Sequence, residues 1–261
     1  MMMKKYLAVL PLILLIAAIA CHKNPSTPME TKPADNPVVE LRTANALLAQ
    51  RRCPQAVDAF STFVQKYPKD AGGYNSLGLS YLCVEKPDQA IQAFQQALVL
   101  APTFTDVHNN LGVAYMSQNK LPEAESEFKK ALADPAYPAV GPYYNLARMA
   151  YIKESYEESR ALARKAMMLV PKEPGPRLLY SKSLEKLGRD DEAILSYSEL
   201  LRESPNNVEG CYYLGMLYER RGRPCDARSL LSKVVDADPL GDLAQNAIEA
   251  LKSIHCTQQS H

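Results

Sequence analysis

One spacing governs this 261-residue chain: the same residue types return every 34 positions. With Ala71 as position 1 of a unit, Tyr74, Leu77, Gly78, Tyr81, Ala90, Phe94, Ala97 and Pro102 occupy positions 4, 7, 8, 11, 20, 24, 27 and 32. One period later come His108, Leu111, Gly112, Tyr115, Ala124, Phe128 and Ala131. A one-residue insertion near Tyr137 to Ala139 resets the register, after which Leu146, Ala147, Ala166 and Pro171 mark a fourth unit. Ala193, Tyr197 and Pro205 mark a fifth, and Leu214, Gly215, Tyr218, Ala227 and Pro239 a sixth. Backwards from Ala71, Ala44, Leu47, Ala56, Phe60 and Pro68 define a first unit that starts at Pro37. Self-similarity at such a period is the mark of an array of stacked units.

These positions resemble the tetratricopeptide repeat, with Tyr74 where that family commonly has Trp. The resemblance implies an all-α, right-handed superhelical solenoid of six repeats, 37–70, 71–104, 105–139, 140–173, 174–207 and 208–241, closed by a capping helix and tail over 242–261. Each unit is then two antiparallel helices, A and B. Small residues at positions 8, 20 and 27 let the two approach, and large ones at 4, 7, 11 and 24 fill the remaining space. Proline at 32 ends helix B because it cannot continue the hydrogen-bond ladder. Pro54, Pro87, Pro122 and Pro224, at positions 17 or 18, suit the first turn of a helix B. A single unit cannot bury its apolar face alone, so neighbours complete the core.

Ahead of the repeats stands MMMKKYLAVLPLILLIAAIACHKNPSTP. The apolar run from Tyr6 to Ala20 is shorter than the ~20 residues a membrane-spanning helix needs. Two lysines, a short apolar core and small residues before a cut site describe an export signal. The segment resembles a bacterial lipoprotein signal, with Ala18 where Leu is usual. That resemblance implies removal of 1–20 and a covalent lipid on Cys21 as the only non-protein group, with no other cofactor. Residues 21–36 then form the lipidated cysteine and a Pro-spaced linker, long enough to hold the repeats up to ~45 Å from a bilayer. His22, where inner-membrane retention usually needs Asp, favours the outer membrane and the periplasmic side. Loss of Lys4 and Lys5 takes the formal charge from +1 to −1, giving no electrostatic reason to expect nucleic acid.

Five further cysteines would meet an oxidising compartment. Cys53 falls at the start of helix B in unit one, and Cys83 near the end of helix A in unit two. Cys225 begins a helix B, and Cys256 ends the helix that follows. The same relation thus occurs near each end of the array, predicting disulfides Cys53–Cys83 and Cys225–Cys256. Cys211 falls near the start of a helix A and Cys225 just beyond its far end, about 20 Å apart at 1.5 Å per residue, beyond the ~7 Å reach of a disulfide. Cys211, at position 4, is expected to be a buried free thiol.

Catalytic chemistry has little to stand on. No Gly-rich phosphate loop, G-x-S-x-G or histidine pair at metal spacing is present. His108 fills the slot of Tyr74 and is expected to pack. Glu123, Glu125 and Glu127, like Glu157 and Glu158, are expected on solvated helix B faces. His255, Cys256 and His261 lack a C-x-x-C partner, so no metal site is expected.

Function must then lie on the face that helix A lines through positions 2, 5, 9 and 12. Units one to three place Leu41, Asn45, Leu48, Asn75, Leu79, Leu82, Asn109, Val113 and Met116 there, and unit four adds Tyr144, Arg148 and Tyr151. Units five and six add Leu178, Lys182, Glu185, Tyr212, Met216 and Glu219. Apolar anchors with side-chain amides suit an extended or helical peptide, burying its hydrophobic residues and hydrogen-bonding its backbone. The Lys and Asn arrangement of carboxylate-clamp repeats is not evident, and no small-molecule substrate is expected.

A lipid anchor, a short linker and six repeats resemble the type IV pilus pilotins, outer-membrane tetratricopeptide lipoproteins. The resemblance implies a non-catalytic chain that holds a secretin subunit, brings it to the outer membrane and promotes its ring assembly. The alternative is another envelope partner, with the chain a periplasmic scaffold for cell-wall hydrolases or for outer-membrane protein assembly.

Overall fold

The computed structural model describes residues 36–137 and 140–256. The lipoprotein segment with Cys21, most of the linker, and the tail with His261 lie outside the described residues, as do Pro138 and Ala139 of the insertion. Every described element is a helix; there are thirteen and, among the described residues, no strand. Helix-A elements are α1 (Pro37–Ala49), α3 (Ala71–Cys83), α5 (Thr105–Ser117), α7 (Val140–Ile152), α9 (Pro174–Lys186) and α11 (Val208–Arg220). Helix-B elements are α2 (Cys53–Lys66), α4 (Pro87–Leu100), α6 (Leu121–Leu132), α8 (Tyr156–Leu169), α10 (Asp190–Glu203) and α12 (Pro224–Ala237). The last helix is α13 (Asp242–Ser253). The chain forms two compact units, one ending at Tyr137 and one starting at Pro138.

Local chemistry sets each helix boundary. Asp70 and Asn207 cap α3 and α11 by accepting from the backbone N–H of Gly73 and Gly210, both at 2.7 Å. Proline occupies the first or second position of α2, α4, α6 and α12, where its missing N–H leaves no hydrogen bond unmade. The A–B turns share one device. Position 15 of every repeat has positive φ: Arg51, Glu85, Asn119, Glu154, Gly188 and Gly222. The next N–H then reaches back to the carbonyl five residues earlier, as from Lys86 to Tyr81 and from Ser155 to Ala150, both at 2.9 Å. This left-handed closure satisfies carbonyls that the end of helix A would otherwise expose.

Within the first unit the A–B interfaces are built as the spacing implies. Phe60, Phe94 and Phe128 are fully buried, with Ala56, Ala90 and Ala124 beside them. A Cβ placed on Gly78 would stand 2.5 Å from the ring of Phe94, so only glycine allows that approach. One acidic expectation fails here. Glu127 is 8% exposed, and its carboxylate binds His108 Nδ1 at 2.7 Å and Lys130 Nζ at 2.6 Å. The histidine at position 4 needs a polar partner that a tyrosine there does not, and Glu127 supplies it from helix B. Below it, Asp106 hydrogen-bonds Tyr137, whose phenol is pushed well above its usual pKa by burial and then by that carboxylate.

The second unit uses smaller and more polar packing. Ala147 and Ala163 meet in repeat four, with Leu179 packed on them. Buried hydroxyls bridge elements: Ser181 donates to Ser196 at 2.7 Å and Ser183 to Ser159 at 2.9 Å. Helix α13 buries Ala244 and Ala247 against Leu231 and Val234 of α12. The helix stops at Ser253, so Cys256 does not end it but follows in a short extended stretch, with Ile254 buried beneath.

Disulfides join Cys53 to Cys83, with Cα atoms 5.7 Å apart, and Cys225 to Cys256, with Cα atoms 4.9 Å apart. The first ties α2 to the end of α3, and the second ties the start of α12 to the residues beyond α13. Cys211 is a buried free thiol. Burial pushes its pKa up, against the weaker pull of Lys233.

Candidate functional site

Each unit has its own A-helix face. In the first, α3 touches both α1 and α5, while α2, α4 and α6 contact A helices rather than one another. In the second, α7, α9, α11 and α13 touch in turn. Helices that meet on one side and separate on the other make a stack curve toward the side where they meet, so the A helices line the inner face of each unit.

In the first unit this face is apolar with amides. Leu79 and Leu82 are half-buried against the core of Phe94 and Leu111, and Leu41 against that of Phe60. Asn109, Val113 and Met116 are partly exposed, and Asn45 is exposed. Leu48 is not a groove residue: it is 5% exposed and packs with Phe60 and Leu77 in the core. In repeat one the position-12 side chain is covered by Phe60 of α2 and Leu77 of α3. The asparagines are partly engaged within the stack. Asn75 Oδ1 accepts from Asn110 Nδ2 at 2.9 Å, and Asn45 Oδ1 from Ser76 Oγ at 3.4 Å.

The face of the second unit is aromatic and mixed in charge, with two cations on α7 and α9 against tyrosine rings. Arg148 lies over the ring of Tyr144 at 5.9 Å. Lys182 stands 4.2 Å from the ring centre of Tyr213 and 5.6 Å from that of Tyr151, and it donates to the Tyr213 hydroxyl at 3.0 Å. Tyr213 also stacks on Tyr197, with ring centres 6.4 Å apart. Burial raises the pKa of Tyr144, Tyr151 and Tyr212, so these rings carry neutral hydroxyls; for Tyr144 burial outweighs the opposing pull of Arg148. Glu185 does not open onto the face as a free charge. It accepts from the Tyr197 hydroxyl at 3.2 Å and pairs with Arg220 at 3.2 Å. Leu178 is 8% exposed and belongs to the core with Leu184 and Tyr197. Further along, Tyr212, Met216 and Glu219 of α11 face Asn246, Glu249 and Ala250 of α13 across an open groove of about 660 Å³.

Outside positions 2, 5, 9 and 12, Ser76, Asn110 and Tyr213 all occupy position 6 and all meet the preceding A helix. The polar or aromatic residue at that position is the sequence signal of this contact. The resulting surface has neither a nucleophile paired with a base nor, among the described residues, a cluster of three or more His, Cys, Asp or Glu able to hold a metal. No described helix is long and apolar enough to cross a membrane. What the geometry offers is two curved faces for binding.

The tetratricopeptide repeat family profile matches residues 41–83, 76–140 and 178–242, more than half of the chain. The chain belongs to the tetratricopeptide repeat family. Among solved structures, this repeat protein is similar to one reported in a functional characterisation of Pseudomonas aeruginosa pilF, with a TM-score of 0.72 and 18% identity over 82% of this chain and 96% of that one. It is similar to PilW, described as a widely conserved type IV pilus biogenesis factor, with a TM-score of 0.73 and 17% identity over 84% of this chain and 100% of that one. The Cut9–Hcn1 hetero-tetramer of the APC/C contains a chain matched with a TM-score of 0.74 and 19% identity, of which 43% is covered. At these identities the likeness is one of fold. A curated human relative, the protein O-mannosyl-transferase TMTC2, is 28% identical over 99 residues, which is 37% of this chain but 12% of that protein. What is shared there is a stretch of the repeat scaffold.

Proposed function

We propose that this tetratricopeptide protein is a non-catalytic lipoprotein of the outer membrane that binds the type IV pilus secretin and promotes its localisation and multimer assembly. Acyl chains on Cys21 supply the membrane affinity, and the A-helix faces hold a secretin segment on the periplasmic side until subunits associate. One acyl chain anchors only reversibly, whereas two or more hold firmly. The observation that carries this reading is coverage joined to closeness of fit. The likeness to the pilF protein and to PilW joins coverage of 96% and 100% of those chains to TM-scores of 0.72 and 0.73. YrrB is covered over 99% but at a TM-score of 0.56, and the matched chain in the Cut9–Hcn1 complex is covered over only 43% of its length. The export signal ending at Cys21 supports the same location.

The test is a gel of membrane fractions from cells lacking the chain, probed for heat- and detergent-resistant secretin multimers, with a Cys21→Ala strain beside it. Loss of multimers in the deletion supports the assignment, and the Cys21→Ala lane reads the contribution of the anchor. Normal rings in the outer membrane of the deletion strain would remove the pilus assignment and leave a repeat scaffold with another envelope partner.

A further inference from the structure

Most of the arginines near the α9–α12 turns are neutralised locally. Arg220 pairs with Glu185 and Asp190, Arg221 with Asp191, and Arg223 with Asp226. Arg148 and Lys182 are different. Both are half-buried, both lie against tyrosine rings, and among the described residues neither pairs with a carboxylate. They occupy the same position, 9, of consecutive repeats whose A helices, α7 and α9, are in contact. In the first unit position 9 holds Asn45, Leu79 and Val113, without charge.

A ring face orients a cation and does not cancel its charge. A partly desolvated cation without a paired carboxylate gains most from an anionic hydrogen-bond acceptor, and that bond is about twice as strong as a neutral one. Packed helices lie ~8–10 Å apart. One turn of a polyproline II segment spans three residues at ~3.1 Å each, nearly the same distance. Carboxylates three residues apart on such a segment therefore reach both cations at once. The intervening residues, prolines among them, would lie against Tyr144 and Tyr151.

We propose that the A-helix face of the second unit receives an extended acidic segment of the partner, with two Asp or Glu residues three apart seated on Arg148 and Lys182. This rests on the reading that the A-helix faces hold a partner segment, and it names the chemistry of that segment.

Fluorescence anisotropy with the full chain in detergent tests it. The probes are a labelled proline-rich peptide with two glutamates three residues apart, its glutamine counterpart, and a version with adjacent glutamates. The spaced-glutamate peptide should bind about tenfold or more tighter than the glutamine peptide, and tighter than the adjacent version. Arg148→Gln and Lys182→Gln should each weaken it by about tenfold, while Lys182→Arg retains binding and shows that the charge is what counts. Circular dichroism melts of the same variants separate lost contact from lost fold. Equal affinity for the glutamate and glutamine peptides would overturn the acidic assignment and leave a neutral peptide groove standing. Glutamate binding unchanged in both Gln variants, or no binding by any peptide at millimolar concentration, would overturn it as well. The secretin-multimer gel is independent of these outcomes, so failure here does not imitate failure of the pilus assignment.

Discussion

The ring of Phe128 fills the space that a Cβ on Gly112 would need: the nearest ring carbon lies 2.6 Å from that point. Phe128 is 0% exposed, so the ring cannot yield to the methyl group by moving into an open surface beside it. Gly112→Ala should therefore destabilise the chain by about 1–3 kcal/mol, the usual cost of overpacking. Urea unfolding would measure it. Adding Phe128→Leu to Gly112→Ala should recover part of the loss, because the smaller side chain leaves room for the methyl group. An equal or larger loss in the double variant would mean that the contact is not the cause.

The A–B turns allow a paired substitution test. Glu154 adopts φ 60° and Gly188 φ 72° at the same position of their repeats. A side chain in this region costs about 1–2 kcal/mol through its Cβ. Nothing lies within 4 Å of a Cβ built on Gly188, so the backbone alone decides the outcome there. Calorimetry should find Glu154→Gly more stable by about 0.5–1 kcal/mol, after the entropy that glycine adds to the unfolded chain, and Gly188→Ala less stable by about 1 kcal/mol.

The two disulfides close loops with sequence separations of 30 and 31. On the chain-entropy account each contributes about 3–4 kcal/mol. Cys225→Ser with Cys256→Ser should release α13 first, because that helix is the last of the stack and packs on α11 and α12. Hydrogen exchange over residues 242–253 would show it as lost protection ahead of the other helices. Cys211, buried and with a raised pKa, should resist alkylation at mildly alkaline pH until the chain unfolds.

Alkaline pH should weaken the second unit. Tyr144, Tyr151, Tyr197 and Tyr212 all have pKa values raised from 10.0, chiefly by burial. Each stays protonated in the fold while the unfolded chain ionises, so its stabilising contribution is complete below pH 10 and is lost as the pH rises toward its folded value. Melting temperature should fall above about pH 10, and the share of phenolate absorbance that belongs to these rings should appear only as the chain unfolds. Tyr197→Phe should flatten this decline, at the cost of the hydrogen bond to Glu185. An unchanged alkaline slope in that variant would assign the effect to the other rings.

Much of the architecture is legible in the chain alone because each repeat solves the same packing problem. A small residue at position 8 makes room for the side chain at 24, as Gly78 does for Phe94, Gly112 for Phe128 and Gly215 for Leu231, and proline stands in a first turn or after a last one. Those constraints are local, and they place the helices, which begin 34 residues apart within each unit. Whether a given polar or apolar side chain faces solvent is a different question. Glu127 belongs to the interior because His108 happens to stand opposite it, and Leu48 and Leu178 belong there because the neighbouring helix covers them. Asn75 spends its carbonyl on Asn110 from the next repeat, and Lys182 is held between Tyr151 and Tyr213 from the helices on either side. Such pairings depend on the tilt and distance between helices 31 to 35 residues apart in the chain. A period reports how often a helix recurs, but only the packed helices decide which side chains meet across the space between them.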